Sequence, residues 1–221
     1  MSEEVKAKNP SIWGMIWSPT EQFEKIKERP KIWGALAIVT LLFVIGMYLT
    51  SLGDPMVIEG MPEIPEEELA AVSMFTTITM IITGLFTPIF GVLIATVIYL
   101  IIAKIARSEV SFKQLFSMNT YIMMISALSM ILNGIGVALL GGTTGTVYTS
   151  LGSLVGAEGT IGALLTSIEV FAIWGMILQA IGLQKVANFS KGLAWTIVIV
   201  FFAIGIIFTM IGAALSGMVG V

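Results

Sequence analysis

Five stretches of this chain are long and apolar enough to cross a lipid bilayer, and that pattern excludes most folds. A spanning helix needs about 20 mainly apolar residues. The stretches fall at about 31–51, 70–106, 116–140, 161–184 and 193–216. Composition agrees, with 57% of residues hydrophobic and 11% charged, against about 25% charged in a soluble domain. The pattern predicts an all-α integral membrane protein. Residues 1–30 form an N-terminal segment outside the bilayer, and 31–217 form a domain of five transmembrane helices. The first apolar stretch starts only near Ile32 and is long enough to span. It therefore reads as a retained helix, not as a cleaved signal with its apolar core of about 7–15 residues.

The second stretch would make about 55 Å of helix at ~1.5 Å per residue, more than a ~30 Å hydrocarbon core. Gly84, Pro88 and Gly91 interrupt it. It is either two short passes or one long helix, kinked near Pro88, whose first turns stand outside the bilayer. Charge favours the second. Residues 54–68 carry six carboxylates and no Lys or Arg, whereas Lys104, Arg107 and Lys113 cluster at the other end. Positive residues stay on the cytoplasmic side, so the two ends face opposite sides and the crossings between them are odd in number. One crossing with a kink at Pro88, whose ring frees a backbone carbonyl and crowds the preceding turn, is the simplest solution.

The same rule orders the whole chain. All eleven Lys and Arg fall in three places. Lys6, Lys8, Lys25, Lys27, Arg29 and Lys31 precede the first span; Lys104, Arg107 and Lys113 follow the second; Lys185 and Lys191 separate the last two. Five crossings put these three segments on one side. The expectation is a protein of the cytoplasmic membrane with its N-terminus inside and its C-terminus outside.

The charged stretch before the first span has structure of its own. Ser18-Pro19-Thr20-Glu21 is a helix start: serine as cap, proline in the first turn, Glu21 closing a capping box. The helix ends near Arg29-Pro30, because the residue before proline disfavours helical geometry. Glu21 and Lys25 make an i,i+4 pair of favourable polarity. Phe23 and Ile26 share one side. Trp13 and Trp17 belong to an apolar patch just upstream, and Trp33 marks the entry of the first span. Trp prefers the headgroup level, so this segment reads as a helix lying on the cytoplasmic surface. Trp13, Trp17, Phe23 and Ile26 are its candidate interface, toward lipid or a partner. The alternative is a linker whose charges only set topology.

The absence of Cys and His removes thiol nucleophiles, Cys/His zinc sites, His haem ligation and His-based triads. Paired acids suited to acid–base chemistry are also missing from the spans, so no enzyme activity and no cofactor are expected. A net charge of −3 without a long basic run gives no reason to expect nucleic-acid binding.

Polar residues inside spans are the remaining candidates. Glu169 lies about nine residues into the fourth stretch, roughly 13 Å deep by helix rise. A carboxylate there must face the bundle interior and find a partner. It is a candidate proton or cation site or a gate, or else one end of an interhelical hydrogen bond to Asn119, Asn133, Tyr121 or Thr96. Asn133 and Gln179 read as structural bonds between helices. The glycine–threonine stretch 141–146 lacks the Lys-Ser/Thr ending of a phosphate loop and reads as a flexible loop. The acidic loop 54–68 lacks the spacing of a calcium loop; its Pro65-Glu66-Glu67-Glu68 end suits a helix N-terminus. Small-residue steps at Gly134, Gly136 and Ala138, and at Ala213 and Gly217, suit close helix packing.

Three short patterns carry a family resemblance. Ser18-Pro19-Thr20-Glu21-Gln22-Phe23 precedes the first span. Ser111-Phe112-Lys113-Gln114-Leu115-Phe116 leads, through Asn119-Thr120-Tyr121, into the third. Trp174, Leu178 and Gly182-Leu183 are spaced by fours along the fourth. In this order the chain resembles the bacterial branch of the Yip-domain family of polytopic membrane proteins. The resemblance implies a five-helix architecture with a cytoplasmic N-terminal region, and an interaction or assembly role without catalytic residues. Eukaryotic members are tied to Rab GTPases and vesicle traffic, and bacterial ones to ABC-type export systems as accessory proteins. The implied partners are the bilayer and an ABC transporter-like membrane protein, with self-association left open. The competing reading is a small transporter or channel using Glu169.

Overall fold

A computed structural model describes residues 9–54, 65–157 and 159–219, with Glu66 and 216–219 as backbone alone. Among the described residues every regular element is a helix, and two isolated bridge pairs, Asp54 with Thr143 and Ser150 with Glu169, join loops. The helices are α1 (Gly14–Trp17), α2 (Pro19–Glu28), α3 (Trp33–Thr50), α4 (Glu66–Ile105), α5 (Phe112–Leu140), α6 (Leu151–Val155), α7 (Gly159–Thr166), α8 (Val170–Val186) and α9 (Lys191–Val219). Four are long and apolar enough to span: α3, α4, α5 and α9. The fifth apolar helix, α8, is shorter at 17 residues.

The second apolar stretch is one helix. α4 runs 40 residues without a break through Pro88. Two passes are excluded, because the chain never turns back. Proline is tolerated inside such a helix when neighbouring groups re-satisfy the carbonyl it frees.

The fourth stretch departs from the expectation. It is not one helix over 161–184 but two, α7 and α8, parted at 167–169. Glu169 there is extended (φ −121°, ψ 140°), and its carboxylate accepts from the Ala172 N–H as the N-cap of α8. The local reason is satisfaction: the last turn of α7 closes on the Ser167 hydroxyl, which donates to the Ala163 carbonyl, and the next helix starts on its own cap.

α5 is the hub of the bundle. It packs on α3, α4 and α8, and on the N-terminal α1 and α2. α3 also lies on α4, and α9 lies on α7 and α8. Glycine sets the α3–α5 crossing. A Cβ at Gly134 would stand 2.7 Å from the Gly46 carbonyl oxygen, and one at Gly46 2.6 Å from Met130 Cγ. Close backbone approach of this kind is what small residues permit.

One end of the bundle gathers the charges. Ser117 Oγ donates to the Lys31 carbonyl, Gln114 Nε2 to the Lys27 carbonyl, and Ser108 Oγ to the Ala187 carbonyl. These bonds bring α2, the start of α3, the end of α4, the start of α5 and the α8–α9 loop together. Every described Lys and Arg lies at this basic end; Lys6 and Lys8 fall outside the described residues. At the opposite end the start of the acidic loop is tied to 141–146. The Asp54 N–H donates to the Gly142 carbonyl, and Thr144 N–H to that of Asp54. The glycine–threonine stretch is thus an ordered turn and not the flexible loop its composition suggests. Gly141 and Gly142 take φ of +86° and +104°, and Thr146 Oγ1 accepts from the Thr143 N–H. Glu59 and Glu63 of the acidic loop lie outside what is described, and Gly217 of the last small-residue step is described only as backbone within α9.

Candidate functional site

The N-terminal segment is a collar clamped to the basic end. α2 forms as its sequence suggests, with Pro19 in the first turn and Lys25 Nζ 2.6 Å from Glu21 Oε1. Its start differs. Ser18 makes no side-chain cap; its hydroxyl turns back to the Gly14 carbonyl at 3.5 Å and accepts from Gln22 Nε2 at 3.2 Å. α1 ends directly before it and supplies that carbonyl. Phe23 and Ile26, expected to face lipid or a partner, are fully buried within the chain itself. Phe23 lies over Gly182 of α8, next to Met118 of α5. The missing side chain at Gly182 makes the socket. Gln22 Oε1 accepts from the Ser11 N–H, and Tyr121 OH donates to the Pro10 carbonyl. Lys185 pairs with Glu24 at 2.9 Å, and Lys27 donates to Asn188. The two upstream tryptophans remain exposed, Trp13 at 52% and Trp17 at 84%.

The four interior polar candidates form two separate groups. Asn133, near the far end of α5, donates through Nδ2 to Thr149 Oγ1 at 2.9 Å, and its Oδ1 accepts from the Thr149 N–H at 3.0 Å. Thr149 Oγ1 donates in turn to Glu169 Oε1 at 2.6 Å, while Glu169 Oε2 accepts from Ala172 N–H at 2.7 Å. Both carboxylate oxygens are thus engaged. α8 carries Glu169 about 26 Å from the basic end at 1.5 Å per residue, close to the full ~30 Å of a hydrocarbon core. Glu169 therefore sits at the end of α8 opposite the basic end, as the residue that caps its first turn. Thr149, which links it to Asn133, escaped the sequence reading; a lone threonine in a loop carries no periodic signal.

The second group crosses the bundle floor nearer the basic end. Asn119 Nδ2 donates to Thr96 Oγ1 at 3.0 Å, and Asn119 Oδ1 accepts from Gln179 Nε2 at 3.3 Å. Thr96 Oγ1 donates back to the Val92 carbonyl of its own helix. One residue each from α4, α5 and α8 thereby forms a ladder, and Asn119 and Thr96 are buried. Bonds of this kind hold spans together at about 0.6 kcal/mol each. Among the described residues no three or more His, Cys, Asp or Glu side chains gather as a metal site.

Comparison with known proteins agrees with this architecture. The Yip1 domain family matches residues 13–212, from the collar to the last span. Membrane protein YknW of Bacillus subtilis (strain 168) is 29% identical over 215 residues, covering 96% of this chain and 93% of the relative. No solved structure matches. A helical bundle of membrane-spanning length, a clamped N-terminal collar and a family match over nearly the whole chain lead to one statement: this membrane protein belongs to the Yip1 domain family.

Proposed function

We propose that the protein acts by contact with another membrane protein, as an accessory or assembly factor of an ABC-type export or envelope-stress system. The observation that carries this reading is the collar. Burial of Phe23 and Ile26 and bonds from Gln22 and Tyr121 fix α1 and α2 on the bundle, while Trp13 and Trp17 project outward. A rigid surface with exposed aromatic anchors is suited to recognition, since little ordering is left to oppose binding. In this reading α8 with α7 completes a fifth crossing. The basic end is cytoplasmic in the cytoplasmic membrane, as the gathering of every described Lys and Arg there supports.

The transporter alternative asks Glu169 to serve a pathway. Its oxygens are engaged with Thr149 and Ala172 near one end of the bundle, which favours a structural cap. Crosslinking in the native cell, followed by copurification in mild detergent, tests the two. Recovery of ABC transporter subunits, lost on Trp13→Ser with Trp17→Ser, is the expected result. A solitary protein that mediates flux in liposomes, with flux abolished by Glu169→Gln, would overturn it.

A further inference from the structure

The seam between α4 and α9 is open. Among the described residues the backbones of these helices make no close approach, and the rings of Tyr99 and Phe201 bridge them edge to face, centroids 5.9 Å apart. Beside that bridge lies a cavity of about 340 Å³ with walls from α4, α5, α8 and α9, floored by Asn119 and Gln179. It continues into an apolar cavity of about 250 Å³ along Ile94, Ile98 and Phe201. Lower on the same two helices, where α4 ends and α9 begins, a third cavity of about 490 Å³ is lined by Arg107, Ser108, Glu109, Asn188 and Ser190. Tyr99 and Ala106 are separated by about 10 Å of helix. The seam is thus mainly apolar around Tyr99 and Phe201, with the two amides at its floor, and polar about 10 Å lower, at its basic mouth.

We propose that this seam binds one anionic phospholipid from the leaflet at the basic end. An acyl chain lies beside Tyr99 and Phe201, and the phosphate sits at Arg107. Charge complementarity selects the headgroup. Lys25 and Lys185 are taken by Glu21 and Glu24, and Lys27 by Asn188. Arg107 lines the mouth; it and the exposed Lys104 and Lys191, which lie three residues before it and directly after Ser190, have no side-chain hydrogen bond or ion pair among the described residues. The lining itself holds one cation, Arg107, and one carboxylate, Glu109, and the two neighbouring lysines make the local balance positive. Basic pockets between spans are a recurring way to hold acidic lipid. Arg107 also holds the left-handed position that closes α4, φ +57°, where glycine would fit at lower cost. The tail cavity is open at a residue that could have closed it: a Cβ on Gly175 would meet nothing within 4 Å. The site is independent of any protein partner.

The test is native mass spectrometry of the purified full chain, released from detergent after exposure to equal phosphatidylglycerol and phosphatidylcholine of matched tails. One phosphatidylglycerol per chain should be retained in preference. Arg107→Gly removes the charge and keeps the left-handed turn, and should lower retention on the order of fivefold; Arg107→Gln should do the same if the glycine variant fails to fold. Gly175→Leu fills the tail cavity and should lower retention of both lipids. Glu109→Gln should raise retention, and Lys113→Gln, an equal charge change at a residue outside the lining of the mouth, should leave it unchanged. Equal retention of the two lipids, an equal loss in Lys113→Gln, or full displacement by soluble glycerol phosphate would overturn the proposal. So would a disulfide between two copies carrying Ile94→Cys, because a second chain would then occupy the seam.

Discussion

The α3–α5 crossing gives the sharpest stability prediction. Adding one methyl group at Gly134 puts a carbon 2.7 Å from the Gly46 carbonyl oxygen, 2.8 Å from Leu49 Cβ and 3.3 Å from the Thr50 nitrogen. Non-bonded carbon contacts sit at about 3.5–4.0 Å. Two of the three obstructing atoms are backbone, so no side-chain rotation relieves the clash and the helices must move apart by roughly 0.5–1 Å. A gap of that size costs neighbouring pairs about a quarter to a half of their dispersion attraction. Overpacking in general costs about 1–3 kcal/mol, and the middle to upper part of that range is expected for Gly134→Ala. Gly175→Ala is the matched control. It meets nothing within 4 Å and gains about 1 kcal/mol of helix propensity. Both variants are unfolded by SDS titration in mixed micelles and followed by circular dichroism. Gly134→Ala should unfold at lower SDS than wild type and Gly175→Ala at equal or higher SDS. If Gly134→Ala resists SDS as well as wild type, the crossing is not limited by backbone contact.

Other substitutions separate capping, ladder and collar. Glu169→Ala removes the α8 cap and the acceptor of Thr149 and should cost about 1–3 kcal/mol, read in the same titration; Glu169→Gln keeps an acceptor and should cost less. Asn119→Leu breaks two interhelical bonds and should cost about 1 kcal/mol, whereas Gln179→Leu breaks one and should cost about half as much. Phe23→Ala empties the socket over Gly182 and should cost about 3–5 kcal/mol. Its signature is faster tryptic cleavage at Lys25 and Lys27 while the spans stay protected.

Much of the bundle is legible in the sequence because bilayer thickness fixes the length of an apolar run and topology fixes where cations fall. α3, α5 and α9 lie close to their expected bounds, and α4 is the single helix that charge required. The break at 167–169 was not legible. Ile161 to Leu165 and Val170 to Leu178 are both strongly apolar, so a window of spanning length averages across the gap. Glutamate is also not among the preferred N-cap residues, which hides the start of α8. The separation of Glu169 from Asn119 follows from the same error, since a continuous helix would have carried Glu169 deeper. For α2 the spacing of Phe23 and Ile26 showed that one side is apolar. What covers that side depends on Gly182 and Met118, far along the chain, and no local pattern names them.

The socket under Phe23 also bears on how the molecule comes together during synthesis. α3, α4 and α5 contact one another and can pair as they leave the ribosome. The Gly182 wall of the socket belongs to α8, more than 150 residues later in the chain. Phe23 is therefore made long before the wall it packs on, and the collar can close over that wall only once α8 is in place.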